Sequence, residues 1–154
     1  MNRWVKAAKN GALAGTAAST PMGAFMKGAN ALGLLGEEPP RKITRSMLRA
    51  VGLSQVGSAG EKVATVAAHY LFGASVGAVY GVMREGKVMP RGPLAGALFG
   101  TAVWAVSYMG WVPALTAMPS PANDRPFRPT IMLSAHWLFG AALDRGFDMN
   151  ARSD

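Results

Sequence analysis

Four long stretches of this chain carry no charged side chain: residues 10–26, 63–83, 92–123 and 129–143. An α-helix rises 1.5 Å per residue, so about 20 residues cross roughly 30 Å of hydrocarbon. The second and third stretches reach that length outright. The first and last reach it if Lys27 snorkels from one and Asp144 and Arg145 sit at the interface beside the other. The pattern predicts four transmembrane helices, near 10–30, 63–83, 93–117 and 129–145. The expected fold is all-α, an integral membrane four-helix bundle occupying residues 1–154 as a single domain.

Only 16% of the residues are charged and half are hydrophobic, and Gly (19) and Ala (27) supply much of the apolar content. That excludes a disordered chain, which needs low hydropathy and high charge. The absence of Cys excludes a disulfide scaffold and a thiolate metal centre. Two other readings compete with four spans. Apolar runs of this length also occur in soluble cores, but a chain of 154 residues has little polar surface with which to cover four of them. Arg3, Lys6 and Lys9 ahead of Ala12–Ala18 resemble a signal peptide, yet the run lacks a leucine core and continues through Pro21 to Phe25. The net charge of +8 is dispersed in loops beside apolar spans, which suits anionic lipid headgroups better than nucleic acid.

Orientation is balanced on the total count of Lys and Arg. The bases nearest the first span and the short loop with Arg84, Lys87 and Arg91 tip both termini toward the cytoplasm.

An internal repeat adds detail. Ala68-His69-Tyr70-Leu71-Phe72-Gly73-Ala74 recurs as Ala135-His136-Trp137-Leu138-Phe139-Gly140-Ala141, identical at six of seven positions. The only two histidines fall inside it. A fainter echo relates Gly11–Gly15 to Gly92–Gly96. The two offsets differ (81 residues against 67), which places an insertion in the first loop. The expected repeats run over about 10–83 and 92–145, as two parallel-repeat helical hairpins related by a pseudo-two-fold axis along the membrane normal. Small residues spaced by four let helix backbones approach where lipid offers no hydrophobic force. Gly11, Gly15 and Gly23, Gly73, Gly77 and Gly81, and Gly92, Gly96 and Gly100 with Gly140 are therefore expected at helix contacts.

His69 and His136 are the candidate chemistry. Both extend a glycine ridge and are expected to face neighbouring helices. In one reading they bind haem or a metal ion, or relay protons. In the other, favoured here, each neutral imidazole bonds a neighbouring helix and fixes packing. A metal ion would want more ligands than two His, whereas haem would be served by two axial His. With the packing reading favoured, no cofactor is expected, and haem or a metal ion at His69 and His136 is the alternative. Trp111 and Tyr108 read as interface anchors, Trp104 as core.

Residues 41–53 read as an interfacial amphipathic segment started by Pro39-Pro40. Arg41, Arg45 and Arg49 line one face and Ile43, Met47, Ala50 and Val51 the other, with Lys42 beside them. Arg41, Lys42, Arg45 and Arg49 are expected to touch lipid headgroups. No HExxH motif, Ser-His-Asp set, paired intramembrane carboxylates or phosphate loop exists. Ser120, Asp124, Arg125 and Arg128 form a polar loop without a nucleophile–base pair, so no enzyme is expected.

With these residues in view, the chain resembles the YagU-like family of small bacterial inner-membrane proteins. The likeness lies in Pro39-Pro40-Arg41, in Gly92–Leu98, in Ser107–Pro113 and in a final helix with His136. It implies a multi-pass protein of the bacterial inner membrane with no established activity, and supplies no catalytic residue. The expected role is that of a non-catalytic structural or accessory membrane subunit, with membrane lipids, a homo-oligomer or a larger membrane complex as partners. The alternative is a small transport, proton-relay or haem- or metal-binding module using His69 and His136.

Overall fold

The computed structural model describes residues 2–36, 39–53, 55–115 and 117–153. These residues are helical with no strand among them. Helix α1 runs Arg3–Ala31, α2 Pro39–Ala50, α3 Ser58–Glu85 and α4 Pro93–Ala105. A π-helical segment, Val106–Trp111, and a last turn, α5 (Val112–Ala114), continue α4. A 3₁₀ turn at Pro121–Asn123 precedes α6, Arg128–Ser153. The expected spans 10–30, 63–83 and 129–145 fall within α1, α3 and α6, and the span 93–117 follows α4–α5, which ends earlier, at Ala114. Thr116, in the expected span 93–117, lies outside the described residues.

Local chemistry explains most of the boundaries. The Asn2 side chain accepts from the Trp4 amide and caps α1. Pro93 opens α4 at a position where a missing N–H costs nothing. Pro113 cannot donate to the carbonyl four residues back and would collide with it. The chain meets this by widening into the π segment immediately before it. Pro21 leaves α1 unbroken.

Two helices, Ser58–Glu85 and Pro93–Ala114, are long and apolar enough by length and composition to cross a membrane. Helices α1 and α6 are as long, but fall short in hydropathy. Small Ala and Gly side chains dominate α1, and Asp144, Arg145 and Asp148 interrupt α6.

Helix α1 packs on α3 and on α6, and α6 packs on α4. The α1–α3 contact is made by backbone. A Cβ on Gly15 would strike the Gly73 carbonyl, and one on Gly11 would strike that of Gly77. Gly81 meets Ala7 in the same way. The α4–α6 contact matches it: Gly96 faces Gly140, and Gly100 faces the His136 backbone. Just beyond each glycine pair a threonine bonds an aromatic tip. Thr20 pairs with the Tyr70 hydroxyl at 3.1 Å, and the Trp137 indole donates to Thr101 at 2.8 Å. Gly23 and Gly92 stand elsewhere. A Cβ on Gly23 would meet only His69, at 3.7 Å, and Gly92 turns into α4 at φ +114° with open space around it.

The core lies where α1, α3, α4 and α6 converge, around Tyr80, Phe99, Phe139, Leu143 and Phe147. A smaller cluster of Tyr108, Val112, Met118 and Met132 sits at the α4–α5 end.

Candidate binding cavity

Helices α1 and α6 close one side of the bundle. On the opposite side α3 and α4–α5 approach through ring pairs, Tyr80 with Phe99 at 4.9 Å and Phe72 with Trp111 at 5.9 Å. Between them, under α2, lies a cavity of about 420 Å³. Among the described residues no charged side chain lines it. Its walls include methionines from three helices (Met22, Met26, Met47 and Met132), whose flexible thioethers adapt to irregular shapes.

Both histidines of the repeated heptapeptide line this cavity. His69 bonds the Ser19 carbonyl of α1 through Nε2 at 3.2 Å. That makes Nε2 the protonated nitrogen. His136 donates from Nδ1 to the Met132 carbonyl, one turn back in its own helix, at 2.7 Å. His136 is 7% exposed. The cavity thus gathers the two imidazoles in one space; His69 holds a carbonyl of the neighbouring α1, whereas His136, expected to bond a neighbouring helix, bonds its own.

Helix α2 is the roof. Pro39, Pro40, Ile43, Thr44 and Met47 face the cavity. Ile43 and Met47 of the apolar side therefore cover protein, while Ala50 and Val51 further along it stay exposed. Two guanidiniums of the helix are also engaged: Arg41 bonds Glu61 at 2.5 Å, and Arg45 bonds both Glu61 oxygens, at 2.9 and 3.2 Å. Those two cations, Arg45 foremost, hold the Glu61 carboxyl down from 4.5 to about 2. They fasten α2 to the first turn of α3, outside the uncharged stretch 63–83. Lys42 is half-buried on the same helix, and Arg49 in its last turn is exposed.

The π segment contributes Ser107, Tyr108 and Trp111 to the wall. Tyr108 is 1% exposed, and its hydroxyl donates to Asp124. It is therefore buried rather than anchored at a water-facing surface. Trp104, half-buried as a whole, is in edge contact with Tyr108, and its buried indole N–H has no partner among the described residues.

Two ionic clusters escaped sequence reasoning. At the chain-terminal end, Arg84 bonds Asp144, Asp148 (2.5 Å) and the Tyr80 hydroxyl (3.0 Å), and Tyr80 donates to Asp144 at 2.6 Å. Both members of the Arg84–Asp144 pair are 4% exposed at the side chain, so Asp144 is buried, whereas the sequence placed it at an interface. The available signal was the i,i+4 spacing of Tyr80 with Arg84 and of Asp144 with Asp148. At the other end, Arg128 pairs with Asp124 at 2.8 Å and donates to the Leu35 carbonyl from two nitrogens. Gly36 sits beside this site at φ +68°, where a Cβ would collide with Arg125. Ser120 accepts from Asn123, and Asp124 is occupied by Tyr108 and Arg128, so this loop presents a structural staple.

Compared with known proteins, the chain matches no family model, no curated protein and no solved structure.

Proposed function

We propose that this chain is a multi-pass membrane protein of four spans, built from two duplicated helical hairpins, and that it works without catalysis as a structural or accessory subunit of the bacterial inner membrane. The observation that carries the reading is the outer face of α3 and α4. Val63, Val66, Leu71, Val79, Leu94 and Leu98 are all more than half exposed. Only 22% of the most apolar stretch of α3 is buried inside the protein. A core helix of a water-soluble protein would be mostly covered, whereas a helix bathed in lipid is apolar on the side it leaves bare.

The duplication is supported by contacts as well as by the heptapeptide. Gly15 on Gly73 and Thr20 on Tyr70 in one hairpin correspond in register to Gly96 on Gly140 and Thr101 on Trp137 in the other. The YagU-like resemblance is in keeping with a bacterial inner-membrane location. The direct test is fractionation: the expressed chain stays with membranes through alkaline washing and needs detergent for release. Recovery as a dispersed, folded protein in plain buffer would overturn the proposal.

A second reading, a small-molecule or proton-relay module at His69 and His136, is favoured by one observation: both imidazoles line the same cavity. A zinc-type centre there would want further protein ligands. Among the described residues no group of three or more His, Cys, Asp or Glu comes together.

A further inference from the structure

We propose that the cavity beneath α2 binds one uncharged, largely apolar molecule bearing a hydroxyl group, and that His136 Nε2 accepts the hydroxyl proton in a hydrogen bond. This deepens the second reading above and rests on it. The cavity volume, about 420 Å³, lies within the range of roughly 300–1,000 Å³ typical of small-molecule sites, which pair apolar walls with a few placed polar atoms.

The choice of ligand follows from which polar atoms are still unsatisfied. Ser19, Thr44, Thr65 and Ser75 all line the cavity, and each spends its hydroxyl on a carbonyl one turn back in its own helix. Tyr108 is committed to Asp124. His136 differs. Its Nδ1–H is fixed on Met132, so the neutral ring leaves Nε2 as a bare lone pair. Among the described residues that nitrogen has no hydrogen-bond partner, and the ring that carries it lines the cavity. The open space beside this otherwise buried ring is the cavity. The hydroxyl of Ser107, buried on the π segment and lining the same space, forms no hydrogen bond with the described residues either. A hydroxyl is the group that answers both, since it donates to an imidazole nitrogen and accepts from a serine. A carboxylate would bring a charge into a cavity with no counter-charge among its described lining residues, and a bare hydrocarbon would leave the nitrogen dry and unbonded.

The shared chemistry, a hydroxyl on an apolar body, could come from a ring or from a chain. The test uses the full-length protein in lipid nanodiscs, with empty nanodiscs as the partition control. The probes are para-hexylphenol, its methyl ether para-hexylanisole, decanol, and decanol's methyl ether. The phenol, the alcohol or both should bind about tenfold tighter than the matching ether, the equivalent of one hydrogen bond near 1.4 kcal/mol. Preference for phenol or alcohol then says whether a ring or a chain is the better occupant. His136→Leu should bring the hydroxyl-to-ether ratio to about one while ether binding persists, and His136→Gln, whose amide oxygen accepts, should restore part of it. The wild-type protein alone gives a second readout: the His136 Nε2 nitrogen resonance should move with the hydroxyl probe and stay still with the ether. Equal binding of hydroxyl and ether forms to the wild type, or an unmoved resonance at saturation, would overturn the proposal. Failure to enter nanodiscs at all would instead overturn the membrane reading, before any probe is added.

Discussion

Gly140 of α6 rests directly on Gly96 of α4, each occupying the space where the other's Cβ would be. The obstacle to a side chain here is backbone carbonyl, which cannot rotate away. Gly96→Ala and Gly15→Ala should therefore force the paired helices apart, costing about 1–3 kcal/mol or more. Gly28→Ala is the control. It lies inside α1 with nothing within 4 Å of its Cβ position, so the substitution should stabilise by about 0.5–1 kcal/mol through lost unfolded-state freedom. Thermal unfolding in detergent, compared across the three variants, checks the order. Equal losses at Gly96 and Gly28 would mean that close approach is not what holds the hairpins.

The Arg84 cluster should respond asymmetrically. Arg84→Met strips the partner from buried Asp144 and also from Asp148, so it should destabilise by about 3–5 kcal/mol. Asp144→Leu leaves Arg84 bonded to Asp148 and Tyr80, and should cost less. In the double variant Arg84→Met with Asp144→Leu, the second change should recover part of the loss caused by the first. A double-variant cycle on the unfolding midpoint reads the coupling directly, and strict additivity would show that the pair is not a unit.

Much of this architecture is legible in the sequence because its signals are local. Charge-free stretches mark four of the helices, and the spacing of Gly11, Gly15, Gly73, Gly77, Gly96, Gly100 and Gly140 coincides with the residues found where backbones meet. The heptapeptide singles out His69 and His136, which share a cavity. What stayed hidden depends on contacts across long sequence separations. Arg84 and Asp144 are 60 residues apart, and an i,i+4 pair of polar residues near a helix end is usually just a wet surface. The role of α2 is ambiguous for another reason: an apolar face of Ile43 and Met47 fits a lipid surface and a protein cavity equally well. Only the placement of Glu61, which draws Arg41 and Arg45 to α3, decides that it roofs the cavity. Gly23 and Gly92 share the glycine spacing yet meet no neighbouring backbone, because spacing cannot tell a contact from a turn.

Helix α2 should be held by charge. Glu61→Gln removes the anion that two guanidiniums share, and should raise amide exchange over residues 39–50 while leaving α3 and α6 protected. The pH dependence has a definite sign. The folded carboxyl is depressed from 4.5 to about 2, so its contribution is fully present above about 4.5 and disappears as the pH falls toward 2. Hydrogen exchange at pH 5 and at pH 3 should therefore differ more over residues 39–50 in the wild type than in Glu61→Gln. An identical profile in the two proteins would free α2 from this clamp.

The four-span reading makes a topological prediction that the chain is well suited to test, since it has no native cysteine. The connection between α3 and α4 lies at the same end of the bundle as the chain termini, where Arg3 meets Glu85 at 3.6 Å. The loops near Gly33 and Arg125 lie at the opposite end, joined by Arg128 and Leu35. Single cysteines at Lys87 and Arg152 should therefore label from one side of sealed vesicles with a membrane-impermeant maleimide. Single cysteines at Leu53 and Arg125 should label from the other side. Reversing the vesicles should exchange the two sets, and the bases near the first span favour the Lys87 set on the cytoplasmic face. If all four positions label from one side, the helices do not each cross the bilayer, and the exposed apolar flanks of α3 and α4 must instead be covered by protein.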